Sequence, residues 1–265
     1  MKCSVHATLF IRLASCSHYQ LINRMKNIVT TFVCFLFLGI SIQTSASADL
    51  TTKKYKVGNF NSLEIGNEFE VHIFKGNTYS ISATGPSSRL EDVEVEVVGS
   101  KLEVTIDEMK WSNWITWSNE KNKVILNITM PRLRDAEFNG ASKVTLEGFT
   151  DEEEMTLHCS GAAKMSTTKL VADKLTLDLS GASKIEMKGQ VLKLSIDLSG
   201  ASHIDLNEMV ARDVDVDASG ASHVELNVQK SLRVEASGAS KITYRGNPLN
   251  ISKDLSGAST VRRVD

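Results

Sequence analysis

The residues in this sequence whose types and spacing could do chemistry are serines, carboxylates and two histidines that return at a fixed interval. Ser160, Ser180, Ser199, Ser219, Ser237 and Ser256 each open a Ser-Gly-Ala-Ser-like tetrapeptide, and Asn139 opens a variant first copy. A serine nucleophile needs a singular base beside it. A hydroxyl repeated in every unit, in no Gly-x-Ser-x-Gly setting, is read as structural. Two residues before each copy stand Glu137, His158, Asp178, Asp197, Asp217, Glu235 and Asp254. A ladder of acids suggests calcium, which takes many oxygen ligands. Here the acids alternate with Ser and Thr and have Lys or His nearby, so they are read as surface charge. His203 and His223, with Asp197 or Asp217, supply the ligand types of a zinc site. Yet they occupy a column filled elsewhere by Lys143, Lys164, Lys184 and Lys241, with Thr260 last, and are read as surface basic residues. The sequence assigns no catalytic residue, no metal site and no cofactor. The acidic and basic columns are expected to face each other across the turn and offset their self-repulsion.

Two further features are singular. Cys159 falls where other copies carry Leu or Ala, which marks a buried, inert thiol. Trp111, Trp114 and Trp117 are all the tryptophans of the chain. They form an aromatic segment that can pack on an open end or contact a partner protein or glycan.

The elements that must position these residues are strands. The tetrapeptide glycines are Gly140, Gly161, Gly181, Gly200, Gly220, Gly238 and Gly257, spaced 18 to 21 residues apart. Such a period marks a stacked architecture. The runs entering each turn, such as Leu175 to Leu179, and those leaving it, such as His203 to Leu206, alternate apolar and polar. No segment between them could supply a crossover helix. The fold class is therefore all-β: a right-handed parallel β-helix or solenoid of roughly 20-residue coils with an N-terminal β-rich segment. Coils about 4.8 Å apart share one apolar core that no single coil could bury. Each glycine is expected to serve either a positive φ or a stacking contact too close for a Cβ.

Residues 1–24 read as an upstream artefact. A signal peptide follows over 25–48, with Lys26, an apolar run from Ile28 to Ile42 and an Ala46-Ser47-Ala48 cleavage site. The mature chain would be 49–265, with an N-terminal β-rich part over 49–131, a tryptophan loop at 107–122 and the solenoid over 132–265. It holds 26 basic and 32 acidic residues, a charge of −6, which disfavours nucleic acid as a partner. Only Cys159 remains after cleavage, so no disulfide framework forms within it. No transmembrane domain is expected in the mature chain.

The seven copies, Ile128-Thr129-Met130-Pro131-Arg132-Leu133 before the first, and Ile242-Thr243-Tyr244-Arg245-Gly246-Asn247-Pro248 before the last resemble the auto-transporter adhesin head GIN domain family. The resemblance covers roughly residues 55 to 262. It implies export, a β-helix shaped like pectin lyases without their catalytic residues, and a role in adhesion. It carries over no binding residue. The expected protein is a non-enzyme in the periplasm or at the cell surface. Its partner is a cell-surface protein or glycan held by the lateral faces or by Trp111, Trp114 and Trp117; the reading leaves room for a homo-oligomer. The alternatives are a polysaccharide-active enzyme of β-helix type and a ligand-free periplasmic structural protein.

Overall fold

A computed structural model describes residues 50–106 and 123–264. Its core is a parallel β-solenoid of about 6 turns of roughly 20-residue coils. The repeat region runs through β8 (Asp135–Phe138), β9 (Lys143–Glu147), β10 (Glu152–Cys159), β11 (Lys164–Thr167), β12 (Leu170–Gly181), β13 (Lys184–Glu186), β14 (Gly189–Gly200), β15 (His203–Gly220), β16 (His223–Ala236), β17 (Lys241–Arg245), β18 (Asn250–Leu255) and β19 (Thr260–Arg263). Strands entering the Ser-Gly-Ala-Ser turn stack as one ladder, with Leu177, Ile196, Val216 and Val234 in register. Strands leaving it stack as a second, with Met165, Ile185, Ile204, Val224 and Ile242 in register. A third, shorter side pairs Ala172, Val191, Ala211 and Val228. All these inward residues are at most 4% exposed, so alternation along each strand makes one continuous apolar column.

The corner between the first two ladders explains the tetrapeptide. The carbonyl of each corner glycine accepts the N–H of the alanine in the next coil, as in Ala182 to Gly161 and Ala239 to Gly220, both at 2.7 Å. That bond draws the next glycine onto the carbonyl. A Cβ on Gly238 would lie 2.5 Å from the Gly220 oxygen, and Gly238 itself has φ 77°. The two reasons expected for the glycine as alternatives thus act together. The tetrapeptide's serines divide the work. Those at the first position are half-buried, as Ser160 and Ser180, or exposed, as Ser199 and Ser219. Those at the last, Ser142, Ser183, Ser202, Ser222 and Ser240, are at most 2% exposed.

The N-terminal part enters the same stack in a different order. Its strands are β1 (Leu50–Tyr55), β2 (Ser62–Ile65), β3 (Phe69–Lys75), β4 (Ser80–Pro86), β5 (Val93–Val98), β6 (Lys101–Ile106) and β7 (Val124–Met130), with one short helix, α1 (Ser87–Leu90). β2 and β3 pair in parallel with β8 and β9 on one side and with β6 and β7 on the other. The coil nearest the N-terminal end is therefore later in sequence than the coil beneath it. Three antiparallel pairings, β4 with β7, β5 with β6 and β1 with β4, then finish that end, with β1 and β5 as its edge strands among the described residues. α1 places Leu90, 4% exposed, on the core, and Lys53 donates to the Leu90 carbonyl at 3.2 Å.

Asn67 continues the glycine column. It has φ 64°, a conformation Asn accepts better than other L residues, and its carbonyl accepts the Ser142 hydroxyl at 2.9 Å. A Cβ on Gly140 would lie 2.8 Å from the same oxygen.

Candidate binding surface

The outward residues of the two ladders form the broad lateral surface of the solenoid. Glu137, His158, Asp178, Asp197, Asp217, Glu235 and Asp254 stack in register on the first ladder. Lys143, Lys164, Lys184, His203, His223, Lys241 and Thr260 stack on the second. The expected offset across the corner is not there. Among the described residues no ion pair joins the two columns, because the corner turns them onto different sides of the solenoid. Their partners lie elsewhere: His158 contacts Asp178 at 3.2 Å and Asp135 at 3.4 Å, and Lys143 contacts Glu70 at 2.9 Å. Asp197 shows the consequence. Partial burial and then the neighbouring Asp178 and Asp217 push its carboxyl above the usual range.

His203 and His223 come together as their spacing implies, with ring centroids 5.1 Å apart and planes 7° from parallel. Face-to-face rings point their nitrogen lone pairs sideways rather than at a shared centre. His223 Nε2 instead meets Glu225 Oε1 at 3.0 Å, and Glu225 is held below the usual carboxylate range by that bond and by one from Asn207. Among the described residues no group of three or more His, Cys, Asp or Glu side chains is placed to hold a metal ion. Cys159 is 2% exposed, and burial pushes its thiol up to about 12, which keeps it protonated and unreactive.

The first ladder also carries a groove of about 710 Å³ over β12, β14, β15, β16 and β18. Lys174, Lys193, Asp213, Ser231 and Asn250 succeed one another in one row, and Thr176, Ser195, Asp215, Arg233 and Ser252 in the next. Here the side chain changes type from coil to coil, unlike the acidic column beside it. Ser231 donates to Asp213 Oδ1 at 2.6 Å, and that bond, with Lys230 and Arg212 nearby, holds Asp213 below the usual carboxylate range. Arg233 reaches both Glu235 and Asp215. Leu249, 82% exposed, stands at one end of the groove. The register shift between Ala211 and Asp213 falls in the same region. Sequence reasoning did not single out these residues; their signal was the loss of column identity after Lys193.

A second charged cluster was also missed. Glu152 occupies the inward column that carries Ala172 and Val191 in the next coils, and it is 3% exposed. Its partner is Lys75 at the end of β3, at 2.6 Å, and Lys75 also meets Asp151. Trp111, Trp114 and Trp117 lie outside the described residues, as do residues 1–49, where the signal peptide is expected.

A three-sided parallel solenoid with serine–glycine corners and flat polar flanks defines the class of protein. The chain belongs to the family described as "Putative auto-transporter adhesin, head GIN domain", whose model matches residues 59–248. The fold is shared with solved structures. One is a "putative adhesin" from Bacteroides fragilis, with TM-score 0.74 and 21% identity over 82% of this chain and 98% of that one. A "putative lipid binding protein" from Parabacteroides distasonis has TM-score 0.64 and 16% identity, covering 82% and 97%. A "putative adhesin" from Parabacteroides merdae has TM-score 0.61 and 16% identity, covering 82% and 96%. No curated protein matches the chain in sequence. No helix among the described residues is long and apolar enough to cross a membrane.

Proposed function

We propose that this protein is an exported, non-enzymatic adhesive module whose first ladder binds a cell-surface glycan along the groove. The observation that carries the reading is the groove itself, where charges, hydroxyls and an amide vary from coil to coil beside the repeating acidic column. An extended polar chain laid across the strands would meet Lys193, Ser195, Asp215, Arg233 and Asn250 in turn. Such a site recognises by hydrogen bonds and charge, without a reacting centre. Of the groove's two carboxylates, Asp213 accepts from the Ser231 hydroxyl and Asp215 faces Arg233 at 4.0 Å, an arrangement of fixed charge and hydrogen bonds that supports binding. The polysaccharide-active alternative predicts release of reducing or unsaturated sugar from a polysaccharide panel, and such release would displace the adhesive reading. The ligand-free alternative predicts retention of no glycan at all. A second reading, an acyl chain against exposed Leu249 and Ile251, is supported by that apolar end of the groove.

Glycan-array binding tests the proposal with wild type, Asp215→Ala/Arg233→Ala and Trp111→Ala/Trp114→Ala/Trp117→Ala. The groove variant is expected to lose retention of a glycan that wild type holds. Retention lost only in the tryptophan variant would move the site to that segment, and retention lost in neither would overturn both. Phospholipid vesicles in parallel test the acyl reading. Export by residues 25–48 is part of the proposal, and N-terminal sequencing of protein from the native host should begin at Asp49.

A further inference from the structure

At the C-terminal end of the solenoid the inward columns run out to solvent. Among the described residues β18 pairs with β16 alone and β19 with β17 alone, so each has one edge of unpaired backbone groups. Ile251 and Leu255 sit in the inward columns beneath Leu232 and Ala236. They are 45% and 39% exposed, where the residues above them are 1% and 5% exposed. Leu249 and Val264 are exposed nearby. The opposite end also finishes in edge strands, β1 and β5, but there Leu90 and Val93 are 4% exposed and Val95 and Val97 are half-buried.

Between Ile251 and Leu255 the inward position holds Lys253, below Val234. Its ammonium turns across the end of the coil, 5.6 Å from the Tyr244 ring and 3.5 Å from the Val261 carbonyl. The inward row of β18 therefore reads apolar, cationic, apolar. Arg262 and Arg263 add positive charge on β19. These cations select against a second copy of the chain. End to end, two C-terminal ends would oppose Lys253, Arg262 and Arg263 to themselves. Head to tail, β19 would meet Lys53 and Lys54 of β1, and Lys253 of β18 would face the apolar inward row Val93, Val95 and Val97 of β5, which offers it no anion. Like charges facing each other across strands disfavour pairing.

We propose that the β18 edge is a docking site for an extended segment of another protein, which joins the sheet as one more strand. The pattern of that segment follows from β18. Its core-facing residues, at every second position, are apolar, acidic and apolar, to lie against Ile251, Lys253 and Leu255. Main-chain hydrogen bonds supply affinity, and the alternate side chains supply selection. This inference does not rest on the glycan reading: Ile251 lies at the end of the groove, but Lys253 and Leu255 line no part of it.

The test uses the mature chain and the labelled peptide Thr-Val-Thr-Glu-Thr-Val-Thr, with fluorescence anisotropy as readout. Saturable binding is expected below about 1 mM, with at least about tenfold weakening when the peptide's Glu becomes Lys or its alternate amides are N-methylated. Lys253→Glu should reverse the preference between the Glu and Lys peptides, with circular dichroism checking that the fold is retained. If that variant fails to fold, the contrast between the two peptides on wild type decides. No saturable binding, equal binding of the N-methylated peptide, or a preference unchanged by Lys253→Glu would overturn the proposal. So would concentration-dependent self-association that blocks the peptide.

Discussion

Gly238 and Gly99 share a left-handed backbone, φ 77° and 64°, in opposite surroundings. Gly99 turns the β5–β6 hairpin at the N-terminal end, and a Cβ there would meet nothing within 4 Å. Gly238 turns a corner of the stack, and a Cβ there would strike the carbonyl of Gly220. The hairpin asks only for a dihedral, whereas the corner asks for a dihedral and for an absent side chain. The difference teaches why one region repeats a tetrapeptide and the other does not. A chain that winds forward coil upon coil repeats the same close approach at every corner. The N-terminal part doubles back instead, and only its Asn67 corner lies against that column.

The largest effect expected to break this contrast is Gly238→Ala. An L residue at positive φ and a displaced backbone contact together cost about 2–5 kcal/mol in urea unfolding. Gly99→Ala should cost about 1 kcal/mol, from the dihedral alone. Next comes the ion pair joining the two regions. Lys75→Ala leaves Glu152 buried without its close cation, at a cost of about 2 kcal/mol. Lys75→Met with Glu152→Val restores the apolar column and should come close to wild type. If the double variant is as unstable as the single one, Glu152 is held by more than this pair.

Smaller effects separate the buried serines. Ser142 bridges to Asn67, so Ser142→Ala should cost about 1 kcal/mol. The Ser202 hydroxyl is buried without a hydrogen-bond partner among the described residues, so Ser202→Ala should be neutral or stabilising in the same urea unfolding. Ala163 already fills that position in one coil.

The smallest effect contrasts two carboxylates. Glu70, in the N-terminal part, is held below the usual range chiefly by its hydrogen bond with Lys143. Its contribution to stability is present above the ordinary carboxylate pKa and is lost as pH falls through its lowered value. Asp197, inside the acidic column, is raised, so the folded state holds its proton more tightly than the unfolded chain does. Stability from that group falls as pH rises from the ordinary aspartate range through the raised value. Asp197→Asn should therefore stabilise the protein near pH 7 by up to about 0.5 kcal/mol, and not at all below the carboxylate range. A loss at pH 7, which mutual neutralisation of the two columns would produce, would restore the cross-corner pairing.

Particular residues show what was legible in the sequence. The period of Gly140 to Gly257 and the alternation of Leu175 to Leu179 dictated the solenoid, because corner sterics and pleat leave one-dimensional marks. Cys159 was legible as a core residue for the same reason. The doubling back at β6 and β7 was not, since strand alternation reports a buried face and says nothing of which strand lies beside it. The direction of the charged columns was misjudged because a separation of six residues spans a bend whose angle the sequence does not state. The groove residues around Asp213 were hidden because their signal is a departure from a pattern, and Glu152 because its partner lies 77 positions away.

The most direct test of the central claim replaces each glycine by Asn, the residue that Asn67 shows can hold this dihedral in the same chain. Urea unfolding of Gly99→Asn and Gly238→Asn then removes the dihedral from the comparison and leaves the stacking contact. The account predicts a loss within about 1 kcal/mol at Gly99 and of at least about 2 kcal/mol at Gly238. Equal, small losses at the two positions would contradict it, and would mean that the corner demands a backbone angle and nothing more.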